Sequence, residues 1–448
     1  MKFVKILFLL IGLFSSGQSS NILLGYYPSW NQNIFSADDI RWNNLTHICH
    51  AFVWPQSDGS LAYENGFFYP ALNRKAHEKG KKILFSIGGA SMSYNFSAVL
   101  ADTSKRARFI NDIVHTVQNH NYDGVDIDWE FPESEADKNN LVTFIGKLNS
   151  RLQEANPDYL LTMAIPSGDY YGKWFRYDVL TLLVDWFNVM TYDYHGSWTS
   201  HSGHNAPLFA PPNDVCGSVD ETIRYLMNTR KITGKKLCLG LAFYGRLFNS
   251  SGLYHSSTGG DETYGYKDIV NLIGQGWSYH WDDISKVPYL TNNAGDQLIT
   301  YDDTTSVRLK CEYLLNKELK GGMIWALGHD QMTDAQQPLL QTAAHLLLAP
   351  QAIGPEPRAL VPQAADLRVY PNPFNNSTTI AYQLQQTGYF EISLFSISGR
   401  KIGVLKSGNA SKGNHLFSWN GKRQASGIYY LVLRQNNKTI IRSMVLIK

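Results

Sequence analysis

The sequence predicts an α/β fold: a closed (β/α)8 TIM barrel with a small α+β insertion between strands 7 and 8, followed by a C-terminal β-sandwich. Three observations predict it. Short apolar, β-branched runs alternate with longer amphipathic stretches eight times between about residues 22 and 348. A Pro-rich break follows, after which the pattern changes to period-two alternation punctuated by Gly, Asn and Ser. The length, 448 residues, is too great for one small domain and enough for a large barrel plus a second module.

The elements follow in order. Met1-Lys-Phe-Val-Lys5, the apolar run Ile6 to Phe14, and Ser15, Ser16 and Gly17 have the charged, apolar and small-residue parts of a secretory signal, assigned to residues 1–19. Its apolar run is too short to span a bilayer. No other stretch is apolar enough for a transmembrane helix, so an exported chain with no stable membrane span is expected. The strand-like runs are Leu23–Tyr27, Leu45–Val53, Lys82–Gly88, Gly124–Glu130, Tyr159–Pro166, Trp186–Tyr194, Lys236–Tyr244 and Gly322–Leu327. Amphipathic segments such as Lys105–Asn119, Asn139–Glu154 and Ser218–Thr229 separate them. Strands alternating with helices in this number imply a closed parallel barrel over residues 20–348 rather than an open sheet.

Between the seventh and eighth strands, residues 247–302 exceed what a connecting helix needs. They hold Tyr254, Tyr264, Tyr266, Trp277, Tyr279 and Trp281, and read as an inserted subdomain forming one wall of a cleft. Residues 349–366 are a linker, with Pro350, Pro355, Pro357 and Pro362 among Ala and Gln. Residues 367–448 alternate with period two in Thr379–Leu384, Phe390–Phe395 and Ile428–Arg434, which predicts an Ig-like β-sandwich.

Composition narrows the function. A net charge of +2 with 17% charged residues gives no basic face, which argues against nucleic acid as a partner. Aromatic residues reach 13%, with 11 Trp and 26 Tyr, a supply that suits stacking on sugar rings. Cys49, Cys216, Cys238 and Cys311 show no metal-ligand spacing, and Cys49 and Cys238 read as buried thiols. No histidines are spaced as a ligand set; His195, His204 and His329 read as loop residues without a role. Neither a metal nor an organic cofactor is expected, and a monomer is.

The densest chemistry is Asp123-Gly-Val-Asp126-Ile-Asp128-Trp129-Glu130. On a strand, Asp126, Asp128 and Glu130 point to one face while Val125, Ile127 and Trp129 pack on the other. Three acids on one face repel, so at least one holds a proton near neutral pH. General-acid catalysis gives a reason to build that arrangement, and the end of a fourth barrel strand is the place for it. Asp123 reads as a structural turn acid.

Asp123-x-x-Asp126-x-Asp128-x-Glu130 resembles the active-site signature of family 18 glycoside hydrolases, the chitinase family. Further segments match in order. Ser86-Ile-Gly88-Gly89 resembles that family's third strand, Met190-Thr-Tyr192-Asp193-Tyr194-His-Gly196 its sixth, Ala242-Phe-Tyr244-Gly-Arg246 its seventh and Gly322-Met-Ile-Trp325 its eighth. Trp281-Asp282-Asp283 and Tyr301-Asp302-Asp303 resemble the flanks of its insertion domain. The chain departs from the family at Cys49-His50, where Tyr or Asn often precedes the Ala-Phe of the second strand, and at Ala326, where many members have Glu.

The resemblance implies hydrolysis of β-1,4-linked N-acetylglucosamine in chitin or its oligomers, with retention of configuration. Asp128 and Glu130 stand about 7 Å apart along one strand and cannot flank a sugar, so two-carboxylate catalysis is closed to them. The family's solution is substrate assistance. Glu130 is the general acid and base, the substrate's 2-acetamido oxygen attacks the anomeric carbon, and Asp128 stabilises the oxazolinium intermediate. Asp126 shares a proton with Asp128. Tyr192 and Asp193 contact the acetamido group, and Trp325 forms the floor under the sugar. Tyr26, Trp30, Phe52, Gly89, Met190, Tyr244 and Arg246 complete the substrate-binding set, while Ser86, Gly88 and Gly89 serve close packing. The resemblance also implies non-proline cis peptides at Ala51-Phe52, Glu130-Phe131 and Trp325-Ala326.

A second resemblance covers the C-terminus. Val369-Tyr-Pro371-Asn372-Pro373-Phe374, Ile397-Ser-Gly399-Arg400, Ser426-Gly-Ile-Tyr429-Tyr430 and Arg442 to Lys448 resemble the sorting domain of the type IX secretion system. It implies that machinery as a partner and release or surface attachment outside the cell. Against a carbohydrate-binding sandwich stands the scarcity of platform aromatics, Trp419 and a few Tyr. The alternatives to a chitinase are an endo-β-N-acetylglucosaminidase acting on glycoproteins and a chitin-binding lectin; Glu130 and Asp128 together argue against the lectin.

Overall fold

The computed structural model describes residues 21–212, 214–348, 367–370, 374, 377–384, 386–396, 400–422, 424–436 and 438–446. The signal segment, residues 1–19, and the linker, residues 349–366, lie outside the described residues, as do 371–373, 397–399 and 447–448 of the C-terminal motifs. Residues 1–352 and 353–448 form two compact units.

Eight parallel strands make the first unit: β1 (Ile22–Pro28), β2 (His47–Pro55), β3 (Lys82–Gly88), β4 (Gly124–Asp128), β5 (Leu160–Ile165), β6 (Trp186–Val189), β7 (Leu237–Ala242) and β8 (Gly321–Trp325). Each pairs with its sequence neighbour, and β1 pairs with both β8 and β2, which closes the barrel. Closure removes every parallel edge except where Leu61–Tyr63 adds to β2 in antiparallel sense.

Alternation along the strands sorts the core into two shells. Leu24, Tyr26, Cys49, Leu84, Trp186, Cys238 and Met323 fill the barrel interior. Leu23, Tyr27, Ile48, Ile83, Phe85, Val125 and Ile127, one residue out of phase, face the helices. Full burial of such a side chain contributes about 1.5–3 kcal/mol. The helix Thr103–Asn119 supplies Phe109, Ile110, Ile113, Val114 and Val117 to that outer shell, an i, i+3, i+4 stripe.

Local signals set where the helices begin. The Asp102 carboxylate accepts from the amides of Ser104 and Lys105, and Ser134 and Ser218 cap Glu135–Ala155 and Val219–Arg224 in the same way. Asp303 and Ser306 form a reciprocal capping box on Thr304–Asn316. Pro70 and Pro338 open their helices at positions that need no amide donor.

Strands β4 to β8 all end earlier than the sequence suggests, and at two of them this bears on the site. β4 stops at Asp128 and β6 at Val189, so Glu130, Tyr192 and Asp193 stand just beyond the ladder. Between β7 and β8 the chain forms a five-stranded antiparallel sheet from Tyr244–Asn249, Thr258–Gly265, Trp277–Asp282, Val287–Asn292 and Gln297–Thr300, with a short helix at Tyr266–Val270. Ile269, Leu290, Ile299 and Tyr301 are its core.

The second unit is a sandwich of two antiparallel sheets. One holds Leu367–Tyr370, Ser377–Leu384 and Gly413–Asn420, the other Lys401–Ala410, Gly388–Ser396, Gly427–Gln435 and Lys438–Leu446. Thr378, Ile380, Tyr382 and Leu384 alternate inward and meet Phe390, Ile392, Leu431 and Met444. Trp419 is half-buried and packs against this core, 5.8 Å from the Phe374 ring.

All four cysteines are free; Cys49, Cys238 and Cys311 are buried and Cys216 is half-buried. Of the three histidines read from sequence as plain loop residues, His195 and His204 are buried and His329 is half-buried, and the His204 ring meets Asp282 Oδ2 at 3.0 Å. Among the described residues no helix is long and apolar enough to cross a membrane.

Candidate active site

The site is built from the bottom of the barrel upward. Register places Ser86 of β3, Asp126 of β4 and Thr162 of β5 side by side, so their side chains enter the barrel in one layer. Asp126 is fully buried, and four donors surround it. Tyr26 Oη and Ser86 Oγ donate to Oδ2, both at 2.7 Å, while Thr162 Oγ1 at 2.6 Å and Asn188 Nδ2 at 3.0 Å donate to Oδ1. Every one is a donor, so Asp126 meets its neighbours as an acceptor. The Asp126 oxygens are thus met by side chains from β1, β3, β5 and β6.

Asp128, one layer higher, is buried, and its Oδ1 has no hydrogen-bond partner. Burial first, then the charges of Glu130 and Asp126, hold its carboxyl well above the usual carboxylate range. Its backbone carbonyl is clamped by the Gly89 amide at 2.8 Å and by Ser93 Oγ at 3.3 Å. This clamp explains Gly88: its φ is +117°, and a Cβ there would lie 2.1 Å from the Asp128 carbonyl oxygen.

Glu130 follows at the cleft edge, its amide donating to Ser93 Oγ at 3.0 Å. Its carboxyl is pushed up to about 7, by burial first and by the negative Asp193 second. Asp193, itself at a positive φ of 60°, is held from behind. Tyr244 Oη at 2.5 Å, Arg246 Nε at 2.8 Å and Arg246 Nη2 at 2.7 Å all reach the same oxygen, Oδ1. Arg246 is fixed in turn by the Gly260 carbonyl at 2.7 Å. Tyr244 and Arg246 therefore act through Asp193 and do not line the pocket above the acids.

That pocket encloses about 270 Å³. Tyr26, Trp30, Phe52, Gly89, Asp128, Glu130, Met190, Tyr192, Asp193 and Trp325 all line it. Its apolar side is an aromatic cluster: Trp325 lies 5.6 Å from Phe52 with rings nearly parallel, 5.7 Å from Tyr26 and 6.4 Å from Trp30. Trp30 is 58% exposed, a large apolar surface left open at the rim. The insertion's aromatic residues, expected to wall the cleft, do not line this pocket; its contribution runs through Tyr244 and Arg246. Trp129 packs outside the barrel against Phe96, rings 5.2 Å apart, as its strand parity requires. Asp123 is a turn acid bound to Lys82, His77 and the Ile83 amide. Non-proline cis peptides stand at Ala51–Phe52, Glu130–Phe131 and Trp325–Ala326, the three positions the resemblance implies.

Four supporting residues escape the sequence reading. Thr162 and Asn188 leave a usable signal, a polar residue in the middle of an apolar strand. Ser93 leaves none, since it reaches the acids from a loop. Met323 lines the floor, and to sequence alone it is one more apolar strand residue.

Comparison with known proteins agrees with this geometry. The family description "Glycosyl hydrolases family 18" matches residues 22–330, and "Secretion system C-terminal sorting domain" matches residues 368–448. Chitinase A1 of Niallia circulans is 33% identical over 405 residues, spanning 71% of this chain and 58% of the relative. This chain thus spans less than two thirds of that relative's length. Among solved structures, the Group IV chitinase of Ostrinia furnacalis in complex with allosamidin superposes with a TM-score of 0.68 at 27% identity, over 73% of this chain and 98% of that one. A family 18 N-acetylglucosaminidase from Paenibacillus barengoltzii superposes with a TM-score of 0.67 at 27% identity, over 73% of this chain and all of that one (100%).

Proposed function

This chain belongs to glycosyl hydrolases family 18 and ends in a secretion-system sorting domain, and on that footing we propose that it is an exported chitinase that cleaves β-1,4-linked N-acetylglucosamine with retention. The observation that carries the reading is Glu130. It stands at the cleft edge with its carboxyl near 7, so it holds a transferable proton at neutral pH. The other acids are poorly suited to serve as a nucleophile. Asp128 sits two residues away on the same strand end, and Asp193 is tied by three donors to one oxygen. A nucleophile supplied by the substrate, its 2-acetamido oxygen, fills that gap.

In this mechanism Glu130 protonates the leaving oxygen while the acetamido carbonyl closes on the anomeric carbon. Asp128 Oδ1, which has no partner in the protein, accepts from the acetamido N–H and stabilises the oxazolinium charge. Tyr192 and Asp193 border the same group from the far side of the pocket. Trp325 underlies the sugar ring. Glu130, now deprotonated, takes a proton from the water that opens the intermediate, and the β-anomer leaves. A pocket of about 270 Å³ suits one acetamido sugar, with the rest of the polymer running past Trp30. The C-terminal unit fits export through the type IX secretion machinery, which puts the enzyme where its insoluble substrate is.

The test is a time course on N-acetylglucosamine hexamer with anomers followed by NMR, using the wild type and Glu130→Gln. Fresh β-anomer that vanishes in Glu130→Gln supports the mechanism. Binding without cleavage by the wild type points to a lectin, cleavage restricted to glycoproteins to the endo-glycosidase reading, and α-anomer product rejects substrate assistance.

A further inference from the structure

We propose that this chain carries a zinc site in the long loop between β6 and β7, formed by His195, His201, Asp214 and Cys216. One potential ligand atom from each of these four residues lies within 4.8 Å of all the others. Sequence spacing hides the set, since the four are spread over a connection with no ligand motif. Folding brings them together, and it does so in two pairs. His195 Nε2 lies 3.4 Å from Asp214 Oδ1, and His201 Nε2 lies 3.9 Å from Cys216 Sγ. In a tetrahedral zinc site with bonds of about 2.0–2.3 Å, ligand atoms stand about 3.3–3.7 Å apart. Both pairs are close to such an edge, and drawing the two pairs together by about 1 Å completes the polyhedron.

The hydrogen bonding points to a cation. His195 Nδ1 faces the His204 carbonyl at 3.1 Å, and a carbonyl only accepts, so Nδ1 carries the hydrogen. In the neutral ring Nε2 is then a lone pair aimed at a carboxylate oxygen. The two side chains are 0% and 1% exposed, and His195 Nε2 and Asp214 Oδ2 have no hydrogen-bond partner. Buried acceptors facing each other need a positive centre between them. An imidazolium on His195 would answer for that pair alone. It leaves unexplained why an imidazole and a thiol complete the group of four. The His204 carbonyl behind His195 is also the kind of outer partner that orients a metal-bound imidazole.

Donor chemistry selects the ion. Two imidazoles, a thiolate and a carboxylate are a borderline set that suits zinc, whereas calcium and magnesium take oxygen ligands. Binding releases the Cys216 thiol proton to solvent and involves no change of oxidation state. All four positions belong to protein ligands, which marks a structural site. It would staple the loop at the insertion, where the His201 backbone bridges Ser256 and the Ser202 amide donates to the His255 carbonyl. His195 lies two residues from Asp193, so the staple also fixes the turn that presents Asp193 to the cleft.

The experiment uses the tag-free mature chain, equilibrated with zinc sulfate, freed of excess and measured by elemental mass spectrometry. Wild type should hold about one zinc per chain, and Cys216→Ser and His201→Ala should each weaken binding by more than the roughly 10–100-fold typical of second-sphere losses. Cobalt(II) loaded into the wild type should give the intense visible bands of a tetrahedral site with a thiolate charge-transfer band, and that band should vanish in Cys216→Ser. The wild-type spectrum stands even if a variant fails to fold. Wild type without stoichiometric metal, or zinc retained equally by both variants, overturns the proposal.

Discussion

The pH profile of cleavage tests the electrostatics of the cleft most directly. Glu130 must hold a proton to act as acid, and its carboxyl lies near 7. With that value, about nine-tenths of molecules are protonated at pH 6 and about one-tenth at pH 8, so kcat/KM should fall about tenfold between them. A glutamate at its ordinary value of 4.5 would already be almost wholly ionised at pH 6. Asp193→Asn removes the second cause of the shift and leaves burial, the first. The falling limb should therefore move to lower pH and remain above 4.5. Arg246, freed from an ion pair at 2.7 Å, pushes the limb the same way by favouring the ionised Glu130. The assay is kcat/KM on N-acetylglucosamine hexamer, whose poor leaving group needs the proton, at constant ionic strength. Asp193 also lines the pocket, so the plateau should drop as well; the diagnostic is where the limb falls. A wild-type limb near 4.5, or a limb that Asp193→Asn leaves in place, refutes the reasoning.

Three further outcomes are expected. Because the folded-state pKa of Glu130 is raised, the folded protein gains from its proton at low pH and loses that gain as pH rises through about 7. Glu130→Gln should thus be more stable than wild type at pH 8 by at most about 3 kcal/mol, less because the side chain is only half-buried, and no more stable at pH 4; equal urea midpoints at pH 8 would contradict this. Asp126→Ala strands four buried donors and should cost about 3–5 kcal/mol in urea unfolding, with Asp126→Asn costing less because one acceptor survives; a loss under about 1 kcal/mol would show the network to be dispensable. Trp325→Ala, made in a Glu130→Gln background so that ligand survives, should weaken hexamer binding by about tenfold or more in calorimetry; an unchanged Kd would remove Trp325 from the floor.

Much of this was legible because the barrel writes itself in short range. Each strand is a local apolar run with a period, and Asp126, Asp128 and Glu130 share a face by parity alone. The strand ends were harder. Glu130, Tyr192 and Asp193 continue a strand-like pattern after the ladder has stopped, since hydrogen bonding to a neighbour, which no single segment encodes, decides where a strand ends. Roles that depend on distant partners were misjudged or missed. The four donors around Asp126 come from four different strands, and no local pattern announces them together. Arg246 reads from sequence as a groove residue, whereas in the fold it is bound to Asp193 Oδ1. Ser93 and the set of His195, His201, Asp214 and Cys216 carry no local mark, because loop conformation alone brings them together.

The strand Tyr244–Asn249 has a meaning for how enzymes of this design can be varied. It is the first strand of the inserted sheet, yet Tyr244 and Arg246 on it hold the carboxylate that faces Glu130. The functional border of the insertion therefore falls after Arg246. Chimeras that exchange the later hairpin of Trp277–Asp282 and Val287–Asn292 should leave the acid's environment alone. A transplant that begins at Tyr244 carries part of the catalytic electrostatics with it, and two parents joined there would inherit one parent's pH optimum on the other's barrel.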